Sequence, residues 1–238
     1  MRLYFNGCSH SYGDDLTNPS VDAWPAKIAK HYGYDFLNDS MPGGTNDRIL
    51  YRTIKHIDKF DKFYIAWTYT SRFTRYRADN NYEVNFNARL INSTYGQDDS
   101  FLSYGKLHYA FWYNELYGFK LWLKNILLLQ TLFREKNKSY VMLNADNNFI
   151  HRWTVGWQDF NNSVQSLLPF DLMNDEQLYN EHLEIQNLLK QIDFSQYIGW
   201  NTWWLTKMLE DWPVGPTRHL LENGHEATAN YIIKHDPY

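Results

Sequence analysis

The chain has 238 residues, 44% hydrophobic and 21% charged, which fits one large domain with a real core and excludes intrinsic disorder. Its 23 basic residues against 27 acidic ones leave a net charge of −4, so a general polyanion binder is excluded. A single cysteine, Cys8, leaves no internal disulfide framework and no cysteine-rich zinc site, and no stretch reaches the ~18–20 apolar residues of a membrane span. The N-terminus lacks the apolar stretch and small-residue cleavage site of a signal peptide, so the expectation is a protein without an export signal. Aromatic residues make up 18%, a content that suits carbohydrate or acyl recognition as well as core packing.

Leu3-Tyr4-Phe5 is a short apolar run stopped by Asn6-Gly7, which predicts a buried strand meeting a turn. Ala23 to His31 predicts a helix, with Pro25 in its first turn and Gly33 closing it. Tyr34 to Leu37 predicts a second strand, and Pro42-Gly43-Gly44 a loop. Thr45 or Asn46 can cap a helix running to about Lys59. Phe63 to Trp67 is apolar throughout, as in a parallel sheet. Residues 72–105 are polar and are expected as an insertion or long loop. Lys106 to Lys136 predicts one long leucine-rich helix, and Tyr140 to Leu143 a fourth strand. Residues 147–215 are expected as a second insertion, with a helical stretch near 175–192 and a cluster of Trp200, Trp203, Trp204 and Trp212. Asn223, with Glu226 three residues on, predicts a capping-box start to a last helix over Gly224–Lys234. Strand and helix alternate four times, which predicts a single α/β domain over residues 1–238: a three-layer α/β/α sandwich with a mainly parallel sheet. Such folds place their sites at the carboxyl ends of the strands.

Three segments fall at that rim. Gly7-Cys8-Ser9-His10-Ser11 follows the first strand, Asn38 to Asn46 follows the second, and His219 to His225 precedes the last helix. Together they resemble the SGNH (GDSL) hydrolase superfamily. The resemblance places Ser9 at the nucleophile position of its Gly-Asp-Ser motif, Asn38 and Gly43 at its Asn-x4-Gly motif, and His219 at its histidine, with Gly224-His225 following at the expected spacing. The match covers most of the chain and leaves the two insertions outside it. Cys before the serine and a Gly-Gly-x-Asn second motif look like those of bacteriophage-encoded members, which extends the expected location to the cytoplasm or a virion.

The resemblance implies a serine esterase. His219 would take the Ser9 proton, and the Ser9 and Gly43 N–H groups would hold the oxyanion. The chain departs from the family twice. The third-motif asparagine falls on Thr70, with Ser71 and Arg72 as rivals for the third oxyanion donor. The acid three residues before the histidine is replaced by Pro216. Asp211 in the same loop is one candidate carboxylate; a backbone carbonyl holding His219 in a Ser-His dyad is the other. The implied substrate is a short acyl ester, for example acetyl, of a carbohydrate or similar alcohol, with no cofactor, no nucleic acid and no membrane partner. Acyl transfer to a sugar would use the same residues. The rival reading is a non-catalytic glycan-binding or virion-associated protein on a decayed frame.

Each signal also has a plainer reading. Ser9 can be a turn residue. Cys8 can be a nucleophile or a small buried hydrophobe. His10 with His219 lacks the carboxylate or cysteine spacing of a zinc site. His225 can fix the start of the last helix. Gly43-Gly44 lacks the lysine of a P-loop. The Arg72, Arg75 and Arg77 stripe can be a solvated loop or a glycan contact, and the tryptophans can be core.

Overall fold

The computed structural model describes residues 1–76, 83–86, 99–109, 113–147, 150 and 175–237. Four parallel strands, β1 (Arg2–Asn6), β2 (Asp35–Asn38), β3 (Lys62–Trp67) and β6 (Ser139–Asn144), form a sheet in the order β2-β1-β3-β6. Between β3 and β6 in sequence, β4 (Phe73–Tyr76) and β5 (Glu83–Phe86) form a separate antiparallel hairpin. The helices of the sandwich are α3 (Trp24–Tyr32), α4 (Asn46–His56), α6 (Glu115–Glu135) and α8 (Glu222–His235). Shorter or outlying helices are α1 (Ser9–Tyr12), α2 (Pro19–Asp22), α5 (Asp99–Leu107) and α7 (Asp175–Leu189). The expected three-layer α/β/α sandwich is the architecture observed.

Period-2 alternation decides which side chains meet which helices. Tyr4, Phe63, Ile65, Trp67, Tyr140 and Met142 face one way and pack against Ile49 of α4 and the Phe119–Phe133 face of α6. Leu3, Phe5, Tyr64, Ala66, Val141 and Leu143 face the other way and meet Trp24 and Ile28 of α3 and Ile232 of α8. All six residues of β3 are buried, as a strand covered on both faces must be. Trp200 stacks on Trp122 at 5.3 Å and Trp203 on Tyr231 at 4.3 Å, so these two tryptophans are packing residues. Among the described residues no helix is long and apolar enough to cross a membrane.

Two predicted elements differ. The single helix over Lys106–Lys136 is broken. α6 starts afresh at Asn114, whose extended backbone (φ −131°, ψ 127°) and Oδ1, accepting from Leu116 and Tyr117 N–H, form a side-chain cap. The capping box at Asn223–Glu226 is not formed. His225 N–H already bonds Leu221 O at 3.0 Å, so the helix begins two residues earlier and Asn223 lies inside it. The first insertion holds the β4–β5 hairpin, while its residues 77–82, which include Arg77, and 87–98 lie outside the described residues, as do 148–149 and 151–174 of the second. From the second insertion, Ile198 N–H bonds Met142 O at 2.8 Å and Tyr197 pairs with Met142, so the chain returns to the open edge of β6.

Two buried ionic clusters fix the ends of the sheet. Asp236, after α8, accepts from Lys62 Nζ at 2.7 Å and from Tyr64 Oη at 2.5 Å. Beyond the carboxyl end of β2, Asp39 accepts from both Nε and Nη2 of Arg52 at 2.8 Å and from Tyr4 Oη at 2.9 Å. Its carbonyl accepts from Arg48 at 2.9 Å, and the Asp39 N–H donates to Phe5 O at 2.8 Å. Removing one member of such a group strands the others unpaired in the interior, which costs roughly 3–5 kcal/mol. Asp39→Ala is therefore expected to lower stability in urea by about that amount; a loss under 1 kcal/mol would show that the cluster is dispensable.

Candidate active site

The strand order reverses direction of growth at β1, and the crevice above β1 and β3 is where this architecture places ligands. Three loops converge there. After β1 the chain turns through Gly7 and Cys8 into α1, with Ser9 as the first helical residue. After β2 comes the Gly43-Gly44 loop, where Met41 N–H reaches Gly7 O at 3.2 Å and a Cβ on Gly44 would stand 3.0 Å from that same oxygen. Only glycine permits this approach of two backbones, and it lays the second motif directly on the first. Asn38 adds a bond from its Nδ2 to Ser11 O at 2.9 Å. After β3, Thr68 is held through both its N–H and its C=O by the Asn46 side chain, at 2.9 and 3.1 Å. Arg72 then reaches back to Gly44 O at 3.3 Å and to Thr68 Oγ1 at 3.1 Å.

The fourth contributor is the segment before α8. His219 packs its ring on that of His10, centroids 4.6 Å apart, which brings the C-terminal histidine beside the residue that follows Ser9. Ser9 is 6% exposed, and its Oγ makes no hydrogen bond to His219 or any other described residue.

The carboxylate beside His219 is that of Asp15, six residues after Ser9. Asp15 Oδ2 accepts the backbone N–H groups of Thr217 at 3.0 Å and His219 at 3.2 Å, and lies 3.7 Å from His219 Nδ1. Thr217 Oγ1 is 2.9 Å from the same Nδ1. Burial alone would raise the Asp15 carboxyl, but the Thr217 hydroxyl and the two N–H groups hold it below its ordinary value. The site demands unusual backbone. Asp15 has φ +70° and Arg218 φ +64°, both left-handed. Gly215 faces Asp15 so closely that a Cβ there would stand 2.5 Å from the Asp15 Cβ and Cγ.

Asp211, one of the two partners for His219 that the sequence left open, lies exposed after a 3-10 turn over Leu205–Glu210 and makes no ion pair with His219. Gly43 stands in the convergent loop with φ +72°. Thr70, with Ser71 and Arg72, lines a cavity of about 260 Å³ whose lining includes neither Ser9, Gly43 nor His219. His225 bonds to a different helix. Its Nδ1 accepts the Trp24 N–H at 3.2 Å, so it serves as the cap that Ala23 fails to give α3. Cys8 is fully buried. Among the described residues no group of three His, Cys, Asp or Glu is placed to hold a metal ion.

No protein family matches the sequence, and no curated protein does. Solved structures similar to this chain include the psychrotrophic esterase EstA from Pseudoalteromonas sp., at 9% identity, covering 98% of this chain and 94% of that one with a TM-score of 0.49. A member of the lipolytic G-D-S-L family from Veillonella parvula gives 11% identity, 98% and 97% coverage and a TM-score of 0.46. A catalytic mutant of Axe2, an acetylxylan esterase from Geobacillus stearothermophilus, gives 12%, 98%, 93% and 0.44. The similarity is one of fold alone.

Burial, then the neighbouring charges of His219, Arg72 and His225, push His10 down to about 3; burial and Lys27 push His225 down to about 4. Both are neutral in the folded protein at pH 7. Unfolded, they take up protons below about 6.5. Between that value and their folded ones the unfolded state binds more protons, so stability falls as pH falls. Each histidine then removes up to about 1.4 kcal/mol per pH unit. Tm is expected to be flat from pH 7 to 8 and to drop steadily from pH 6 to 4. His225→Gln should shallow that slope, and an unchanged slope would remove His225 from the account.

Proposed function

We propose that this chain is an SGNH-type serine esterase in which Ser9 is the nucleophile, His219 the base and Asp15 the carboxylate that orients it. The observation that carries the reading is the Asp15 carboxylate, on the chain segment that follows the Ser9 helix, standing with the Thr217 hydroxyl on the Nδ1 side of His219. An imidazole whose Nδ1–H is engaged presents a basic Nε2, the tautomer a serine needs. Apo geometry often leaves the nucleophile–base bond open until substrate binds.

In the proposed reaction Ser9 Oγ attacks the ester carbonyl carbon while His219 Nε2 takes the hydroxyl proton. The tetrahedral oxyanion is received by the Ser9 and Gly43 N–H groups. These lie on loops held together by the Gly44–Gly7 contact and so need little reorganisation. Collapse breaks the bond to the leaving alcohol, which takes the proton from His219. Water then repeats the sequence and releases the acid. A short acyl ester, acetyl as the simplest case, of a carbohydrate or similar alcohol is the proposed substrate. Replacing Asp211 by Asp15 as the proposed acid keeps the triad logic while changing the segment that supplies it.

Incubation with a serine-directed fluorophosphonate should add a single adduct by intact mass, absent in Ser9→Ala. Folded wild type without an adduct would exclude an activated serine and favour binding over turnover. Asp15→Asn should lower kcat on a small acyl ester by about 10²–10⁴, as loss of a triad carboxylate does, whereas Asp211→Asn should leave it within twofold. The reverse pattern would restore Asp211. Gly215→Ala, which forces Asp15 aside, should follow Asp15→Asn.

A further inference from the structure

The cavity of about 260 Å³ beside the rim is not used by the reaction above. It lies between the 70–73 segment, the start of α4 and the first half of α6, where a Cβ on Gly118 would stand 3.0 Å from Thr70 O. It is smaller than a drug-sized pocket and suits a compact group of a few heavy atoms.

Its charge is unbalanced on one side. Asp47 and Arg75 both line it; burial raises the Asp47 carboxyl above its ordinary value, and the positive charge of Arg75 only partly opposes this. Arg72 has no such counterpart. Its guanidinium is half-buried, lies 4.6 Å over the Tyr69 ring and bonds only neutral acceptors, Gly44 O and Thr68 Oγ1. Its buried Nε makes no hydrogen bond, and no described carboxylate pairs with it. Trp122, 1% exposed and also in the lining, has a buried Nε1–H without a partner. Buried cations are ordinarily paired with an opposite charge, so a cavity lined by a guanidinium with no described carboxylate partner suits an acceptor with negative charge. An Arg guanidinium pairs well with a carboxylate or a phosphate, and of these the carboxylate is the acid that acyl groups and sugars themselves carry. Arg72 also belongs to the rim, because it holds the Gly44 carbonyl and its charge is felt at His10.

We propose that this cavity binds a carboxylate of the substrate, engaged by Arg72 with Trp122 lining the same pocket, and so selects acidic esters. The proposal rests on the esterase reading for its substrate and on Arg72 and Trp122 for its site. The carboxylate belongs either to the acyl group, as in a hemisuccinate, or to the alcohol, as in an acetylated uronic acid. The chemistry in the cavity is the same.

Two pairs of esters separate the sources: an aryl hemisuccinate against an aryl butyrate, and an acetylated methyl glucuronide against the acetylated methyl glucoside. The acidic member of one pair should be preferred at least tenfold in kcat/KM. Arg72→Gln should remove that preference, with Arg72→Lys retaining part of it. Trp122→Phe keeps the stacked ring, removes one donor and serves if Arg72→Gln does not fold. No preference in either pair, or a preference that survives Arg72→Gln in a folded protein, overturns the proposal and leaves the esterase reading standing. A binding readout stands apart from turnover: millimolar succinate or glucuronate should raise the Tm of Ser9→Ala but not of Ser9→Ala/Arg72→Gln. That shift without any ester hydrolysis would retain the site and retire the esterase. Its absence with both acids would retire the site.

Discussion

One carboxylate organises the entrance to the site. Asp39 sits one residue past β2, and its side chain draws in Tyr4 from β1 and Arg52 from α4, while its main chain bonds Phe5 and Arg48. Strand, loop and helix are thereby pinned at one point. The Gly43-Gly44 loop, four residues further on, has little freedom in where it lands. It lands on Gly7, and the turn bearing Ser9 is set against it. A buried ionic group costs desolvation, and this one is tolerated because every oxygen of the carboxylate is used. Its value is positional: it converts a glycine-rich turn, which is flexible by composition, into a fixed wall.

The frame was legible because it rests on local pattern. Four apolar runs separated by helical stretches place four parallel strands, and the rim positions of Ser9 and Gly43 follow from where the first two stop, while His219 is placed by the start of the last helix. Local pattern failed where a tertiary contact decides. Apolar residues recur through 106–133 and conceal the new start at Asn114, which only the cap at Leu116 and Tyr117 reveals. The Asn223–Glu226 spacing satisfies the rule for a capping box, but helical bonding to Leu221 takes precedence.

The carboxylate beside His219 is the most instructive case. Spacing near His219 directs attention to its own loop and so to Asp211. The residue that meets His219 lies 204 positions away and is recognisable in sequence only as Asp14-Asp15 closing the Ser9 segment. No one-dimensional rule relates those positions. The signals that mark Asp15 in three dimensions are its positive φ and the absence of a Cβ at Gly215, each a cost accepted in order to seat one carboxylate. The tryptophans divide similarly: Trp200 and Trp203 are accounted for by ring partners inside the fold, and no sugar needs to be invoked for them.

Ser9 and Asp15 thus share one short segment near the start of the chain, and His219 arrives from a segment made about two hundred residues later. Order of synthesis then decides when these segments can meet. While the ribosome is still making the middle of the protein, Ser9 and Asp15 have emerged without the histidine segment that packs beside them. The histidine is brought into place only when α8 docks, and that docking is secured at its far end by Asp236 on Lys62 and Tyr64. The segments of Ser9, Asp15 and His219 therefore come together only with the docking of the sheet's last covering helix.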